Sequence, residues 1–390
     1  MISDGRVIGI NTYGYESLNT PSVGYYMSIY IDYAMQKLNE LGIPYNIKSK
    51  KQQLVSAPAT TVSFQKYSTV FYDAFDTVIQ LIGYASSQEM FDQAAQLSKE
   101  MLTHYHQLFN QYDEYPGVVN IRTLNQKAKD GPVHVSQDLF DLLALCQRLQ
   151  REYSSDYVNI SMGSVLSLWH DAREEGLEDP ANAKLPDMEL LKAASKHTDI
   201  QSLVLDPEAL TVYYADPLLQ LDLGAIAKGY AAEKVRKALL ESPMKSFILN
   251  AGGNVCLGEP PMDGRASWSV GIQNPDDLNG YTDILYLANM NVVTSGDYQR
   301  YYLVDGNRYS HLISPQTLMP ANQFRSVTVI GPDGGICDFL STWLFIAPYE
   351  EGRKLIDGLS DVEAYWIMSD GTVQMTEGMK PYARSTRNAQ

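Results

Sequence analysis

Apolar residues recur along this chain at two spacings, and the places where one gives way to the other predict its elements. Helical spacing runs through residues 87–109, where Met90, Phe91, Ala94, Leu97, Met101 and Leu102 form one stripe, and through 135–153, which opens at Ser136 and Asp138. The same spacing predicts helices over 230–240 and over 26–41, the latter ended by Gly42 and Pro44. β-branched and aromatic content predicts a strand over 71–84 that stops at its glycine, and a short buried strand over 246–250. Residues 268–272 and 284–287 alternate like antiparallel strands, 202–212 reads as a hairpin, and 292–298 takes a strand into a turn. Charged, proline-containing residues 171–186 read as a solvated loop and 378–390 as a loose tail. The expected class is α+β with mostly antiparallel sheets and flanking helices, as one large domain over 61–390. It follows a small extension, residues 1–60, whose stretch 48–61 reads as a basic, then Ser/Thr/Pro-containing linker.

Composition narrows the function. With 45% hydrophobic and 19% charged residues the chain is globular rather than disordered. Its net charge of −16 excludes a nucleic-acid surface, which needs a basic face. An acidic body must gather positive charge locally, or borrow a metal, to hold a phosphate ligand. Cys146, Cys256 and Cys337 show no C-x-x-C spacing and read as small buried side chains. No apolar run approaches the roughly 20 residues that span a bilayer. Residues 1–10 carry one arginine and no continuous apolar stretch, so as written they are not a signal peptide.

The chemistry gathers on Leu221-Asp222-Leu223-Gly224-Ala225-Ile226-Ala227-Lys228-Gly229-Tyr230, a small-residue turn that opens a helix. Free N–H groups and the positive dipole end make such a start an anion site, and Lys228 adds a formal charge. Asp222 is free to receive a hydroxyl or ring N–H of the same ligand. Taken alone, the stretch also reads as a plain turn and helix start, because short glycine motifs arise by chance. Further along, Asp338 and Thr342 stand at i and i+4, so a carboxylate and a hydroxyl share one helix face near its first turn. Asp338 is alternatively a helix N-cap. Arg300 can grip a phosphate or carboxylate bidentately or make a structural ion pair. His104 and His106, two apart, do not share a helix face and read as surface or packing residues; His170 and His197 read as surface.

The decapeptide is followed in order by Asn250-Ala251-Gly252-Gly253-Asn254, Thr294-Ser295-Gly296-Asp297-Tyr298-Gln299-Arg300-Tyr301, His311-Leu312-Ile313-Ser314-Pro315 and Asp338-Phe339-Leu340-Ser341-Thr342. This series resembles the FAD:protein FMN transferase family, often called ApbE. The resemblance covers about 300 residues and implies transfer of FMN from FAD to a Thr/Ser hydroxyl of an acceptor protein, itself a redox or electron-transfer protein, with release of AMP. It implies a flavin site at Thr77, Tyr112, Asn159, Ser161, Asp222, Lys228 and the backbone of Leu312. It also implies Mg²⁺ held by Asp338, Thr342 and backbone oxygens of Ala225 and Ser341, a donor set of oxygens that suits this hard cation. His311 or Asp297 is the candidate general base. The family places its members outside the cytoplasm or at the membrane, which the first residues here do not reflect. Asn159, Asn254 and Ser314 stand where the family has aspartate, and Leu318-Met319 where it has a glycine turn. A Mg²⁺-dependent FAD pyrophosphatase and a flavin-binding protein without catalysis are therefore the alternatives.

Overall fold

The computed structural model describes residues 63–387 apart from 73, 154–155 and 278, together with the backbone of the short strands Ile2–Ser3, Arg6–Val7, Ile10–Thr12 and Met27–Ile29. The linker expected over 48–61 lies outside the described residues. So does most of the helix expected over 26–41, but Met27–Ile29 corrects that expectation: it is a strand paired antiparallel with Ile10–Thr12. Pairing with this β-prone partner overrides the helical stripe there.

The body is an eight-stranded sheet in which every neighbouring pair is antiparallel. Its strands are β1 (Gln65–Phe71), β2 (Ile79–Ala85), β3 (Phe247–Ala251), β4 (Asn254–Leu257), β5 (Asn291–Gly296), β6 (Phe324–Gly331), β7 (Glu363–Met368) and β8 (Val373–Met375), and they lie side by side in chain order. Alternation with period two sends neighbouring residues to opposite cores. Val293, Val329 and Trp366 join the core under the helices, while Val292, Ile330 and Tyr365 join a second core beneath the hairpin of Trp268–Gln273 and Tyr281–Leu287. β6 is buried on both faces along nearly its whole length, so even its polar Ser326 and Thr328 are covered.

Five longer helices are α1 (Gln88–Phe109), α2 (Gln137–Glu152), α3 (Gly163–Glu178), α4 (Ala227–Glu241) and α5 (Gly334–Ile346). The side chains of Ser87 and Ser136 cap α1 and α2, each accepting a backbone N–H, a contact worth about 1 kcal/mol. A third core gathers Val165 and Trp169 of α3 with Tyr302, Val304, Ile313 and Leu318. Ile160 and Leu312 belong to the first core, whereas Met162 and Ile313 belong to the third. Ser161 and the Leu312–Ile313 step, next to His311, therefore lie on the seam between the two.

Three further expectations are corrected. The strand expected over 71–84 is a hairpin, β1 and β2, whose turn holds Phe75 and Asp76 at φ 57° and 49°. A tertiary contact holds it: Phe75 N donates to His106 Nδ1 at 3.1 Å, which makes His106 a packing residue as expected. The loop expected over 171–186 is helical to Glu178, because Trp169 and Gly176 bury one face of α3 and leave its charges on the other. The tail is not loose as far as it is described: Met379 and Ala383 are fully buried, and Ser385 N donates to Asp283 Oδ1 at 3.2 Å. The hairpin expected over 202–212 is present as Leu203–Asp206 and Thr211–Tyr214.

Candidate functional site

The decapeptide is held in place by its neighbours before any side chain acts. Gly163 N donates to Gln220 O at 3.0 Å and Asp222 N to Ile160 O at 2.8 Å, so the 159–163 segment runs against the start of the turn. A Cβ at Gly163 would stand 2.8 Å from the Gln220 carbonyl, which explains a glycine there. Asn125 clamps Leu221 from the other side, accepting its N–H at 2.8 Å and donating to its carbonyl at 3.0 Å.

Beyond the turn, α4 crosses α5 at a contact of two glycines. A Cβ on Gly229 would lie 2.3 Å from Gly334 O and 2.5 Å from Asp338 Cβ. That approach lets Asp338 Oδ2 accept the Gly229 N–H at 2.8 Å, seating the carboxylate beside Lys228 at the start of α4. Glu233 secures the crossing: its Oε2 accepts Gly334 N at 3.1 Å and Asn291 Nδ2 at 2.8 Å, placing a buried carboxylate on the positive end of α5. Asp338 is not the N-cap of its helix. Asp333 takes that role, accepting from Gly335 N and Ile336 N, and Asp338 sits in the second turn, 4% exposed.

Burial raises the pKa of Asp338, and Lys228 and the Gly229 N–H pull it back. Burial lowers the pKa of Lys228, Asp338 opposing and Arg300 adding to the effect. Each therefore feels the other, yet no ion pair joins them among the described residues. Beside them Ser295 Oγ lies 2.8 Å from Ser341 Oγ and 3.3 Å from Thr342 Oγ1, and Ser341 donates to Asp338 O at 2.9 Å. A buried carboxylate, neighbouring hydroxyls and a half-buried turn at Ala225 form a hard, oxygen-only donor set that lacks positive charge. This fits Mg²⁺ and not a soft metal. Among the described residues no group of three His, Cys, Asp or Glu side chains could hold a metal instead. All three cysteines are free and buried, as expected.

His311 lies within the field of the same lysine. Its N–H and its Nδ1 both approach Arg300 O, at 3.1 and 3.2 Å. A carbonyl only accepts, so Nδ1 carries the proton and Nε2 keeps its lone pair. His311 keeps an exposed surface, yet loss of solvent beside the protein lowers its pKa, and the cations of Arg300, Lys228 and Arg173 act in the same direction. Leu318 adopts the left-handed φ of 60° that a glycine turn supplies, and Trp169 Nε1 donates to its carbonyl at 2.9 Å, so the turn behind His311 keeps its shape.

The remaining expected residues divide. Thr77 lies against Gly252, whose added Cβ would be 2.2 Å from Thr77 Oγ1. Asn159 is structural in its contacts, accepting Ser161 N at 2.8 Å and donating to Thr198 O at 2.7 Å, while the fully buried Ser161 hydroxyl has no partner. The Leu312 carbonyl already accepts Ala321 N at 2.9 Å. Tyr112 is exposed and stacks on half-buried His170 at 4.5 Å between ring centroids. Asp222 is not free: Oδ2 accepts Gln111 Nε2 at 2.6 Å and Oδ1 accepts Gly224 N at 2.7 Å. Asp297 is paired with Arg325 at 3.1 Å and Arg308 at 3.5 Å, while burial raises its pKa against their pull. Sequence reading missed Gln111, Asn125, Glu233 and Ser295. Each acts across tens of residues or more, and of the four only Ser295 lies in one of the motifs quoted above.

Fold and site together define an α+β protein in which a buried carboxylate meets a lysine-bearing helix start. The ApbE family model matches residues 69–366, and the chain belongs to the ApbE family. It is 31% identical over 250 residues to an FAD:protein FMN transferase of Klebsiella pneumoniae (strain 342), covering 63% of this chain and 74% of that protein. A transferase of the same description from Treponema pallidum (strain Nichols) is 32% identical over 273 residues, 66% of this chain and 73% of the relative. Among solved structures, the ApbE protein of Thermotoga maritima superposes with a TM-score of 0.72 at 26% identity, over 82% of this chain and all of that one. The flavin transferase ApbE of Vibrio cholerae shares the fold, with a TM-score of 0.67 at 22% identity over 82% of this chain and 100% of that one.

Proposed function

We propose that this chain is an FAD:protein FMN transferase, with residues 61–390 as its catalytic domain. The observation that carries the reading is the 2.8 Å contact of Asp338 with Gly229 N, which joins a C-terminal carboxylate to the lysine-bearing turn in mid-chain. FAD lies in the cleft with its diphosphate toward Lys228 and its ring system toward Thr77, Tyr112, Asn159, Ser161, Asp222 and Leu312. Asp338, Thr342 and the backbone oxygens of Ala225 and Ser341 would hold Mg²⁺, which would supply positive charge to an acidic protein's phosphate site. A Thr or Ser hydroxyl of the acceptor protein attacks the FMN-side phosphorus. The bond from that phosphorus to the bridging oxygen breaks and AMP leaves with it. His311 Nε2 takes the hydroxyl proton, and Lys228 faces the charge developing on the leaving side.

Incubation of the protein with FAD, Mg²⁺ and a candidate acceptor tests this. Covalently yellow acceptor plus AMP is the expected result; free FMN with AMP identifies a pyrophosphatase, and unchanged FAD a binding protein. Lys228→Ala is expected to weaken FAD binding about tenfold or more by loss of a charged contact, measured by quenching of flavin fluorescence, and unaltered affinity counts against the anion site. His311→Ala is expected to slow transfer about 10²–10⁴-fold while FAD still binds. Because the pKa of His311 is depressed, its base form persists below pH 6.5. The acid limb of kcat/KM in the wild type should accordingly lie below pH 6.5, and a limb at or above that value removes His311 as the base.

A further inference from the structure

We propose that Arg300 is a phosphate-binding residue, its guanidinium gripping an oxygen of the ligand's diphosphate on the side of the cleft facing Lys228. This rests on the FAD reading above and adds to it a second cation.

Three observations carry it. Most other described arginines find a carboxylate, among them Arg122, Arg236, Arg265, Arg325 and Arg353, while Arg387 lies over the Tyr286 ring. Exposed Arg300 makes no ion pair among the described residues, although acidic residues number 46 against 30 basic ones. Its guanidinium is nonetheless held, because Nη2 donates to Phe75 O at 3.2 Å, and that turn is itself braced by His106 on Phe75 N at 3.1 Å. One fixed Nη2 leaves most of a planar fork of donors unspent, the geometry that suits phosphate. Third, Arg300 gathers with its own kind: it adds to the positive field on Lys228 and on His311, and Arg173 joins it at His311. Like charges collected in so acidic a chain repel one another unless an anion lies among them. The backbone of the same residue holds His311, so the anion gripped by its side chain stands next to the bare Nε2.

The test compares flavins with and without phosphate. Riboflavin, FMN and FAD are titrated by fluorescence quenching into wild type, Arg300→Ala and Arg300→Lys, with melting curves to verify folding. Arg300→Ala is expected to lose about 10- to 100-fold in affinity for FAD and FMN and nothing for riboflavin, as loss of a charged hydrogen bond predicts. Arg300→Lys is expected to fall between, keeping the charge without the fork. An equal loss for riboflavin and FAD overturns the proposal, since it assigns Arg300 only to bracing the 74–77 turn; unchanged affinity for all three also overturns it. Wild-type protein that binds no flavin overturns the FAD reading itself, a different failure.

Discussion

Asp338→Asn is expected to reduce metal-dependent FMN transfer by at least about 10²–10³-fold, the scale seen when one electrostatic group is removed from an active site. The substitution keeps size and an oxygen able to accept the Gly229 N–H, so the crossing of α4 and α5 survives while the charge goes. A buried carboxylate whose pKa burial raises, with no ion-pair partner among the described residues, is costly to the fold and is offset when a cation binds. The variant should therefore melt no lower than wild type in the absence of metal, and the stabilisation that added Mg²⁺ gives the wild type should vanish. Transfer to an acceptor, followed by in-gel flavin fluorescence across a Mg²⁺ series, reads the first part; melting curves read the second. Full activity in the variant removes Asp338 from the metal site.

Gly229→Ala is the second large effect, and it acts through packing. The new methyl group meets Gly334 O at 2.3 Å, Asp338 Cβ at 2.5 Å and Gly334 C at 3.0 Å. Two of those atoms are backbone, so the helices must move apart. Overpacking of this kind costs about 1–3 kcal/mol or more, against a gain of at most ~1 kcal/mol for alanine over glycine in a helix, so the clash wins. A fall of several degrees in Tm is expected, together with loss of FAD binding in the molecules that remain folded, because Asp338 and Lys228 are displaced from each other. Gly131→Ala is the control: nothing lies within 4 Å of its added Cβ, and both Tm and activity should hold. A Gly229→Ala protein with unchanged Tm and FAD affinity contradicts the close crossing.

How much of this was legible without coordinates depends on the range of the interaction. The helix over 87–109 and its Ser87 cap, the helix over 135–153 and the turn-to-helix at Lys228 were readable because three- and four-residue spacing is a local property. Failures occurred where a distant partner intervened. The turn at Phe75 and Asp76 is held by His106, 31 residues on, and interrupts a run whose composition alone favours a strand. The polar face of α3 reads as loop until Trp169 is seen stacked on Tyr309 and Gly176 packed against Tyr302. Asp222 seemed free because Gln111, which occupies it, is 111 residues away in the chain. The pairing of Asp297 with Arg325 and Arg308 is likewise invisible in the sequence, since Arg325 lies 28 residues on.

By itself the sequence determined an α+β chain of amphipathic helices and antiparallel strands, acidic overall, with an ordered series of motifs at recognisable spacings. Local steric preference and apolar periodicity are written residue by residue, which is why they survive without a fold. Only the tertiary structure decided which carboxylates are available and which are already paired, and it alone brought residue 338 within 2.8 Å of residue 229. That outcome turns on two glycines small enough to let two helices touch, a packing condition met 100 residues apart that no local pattern records.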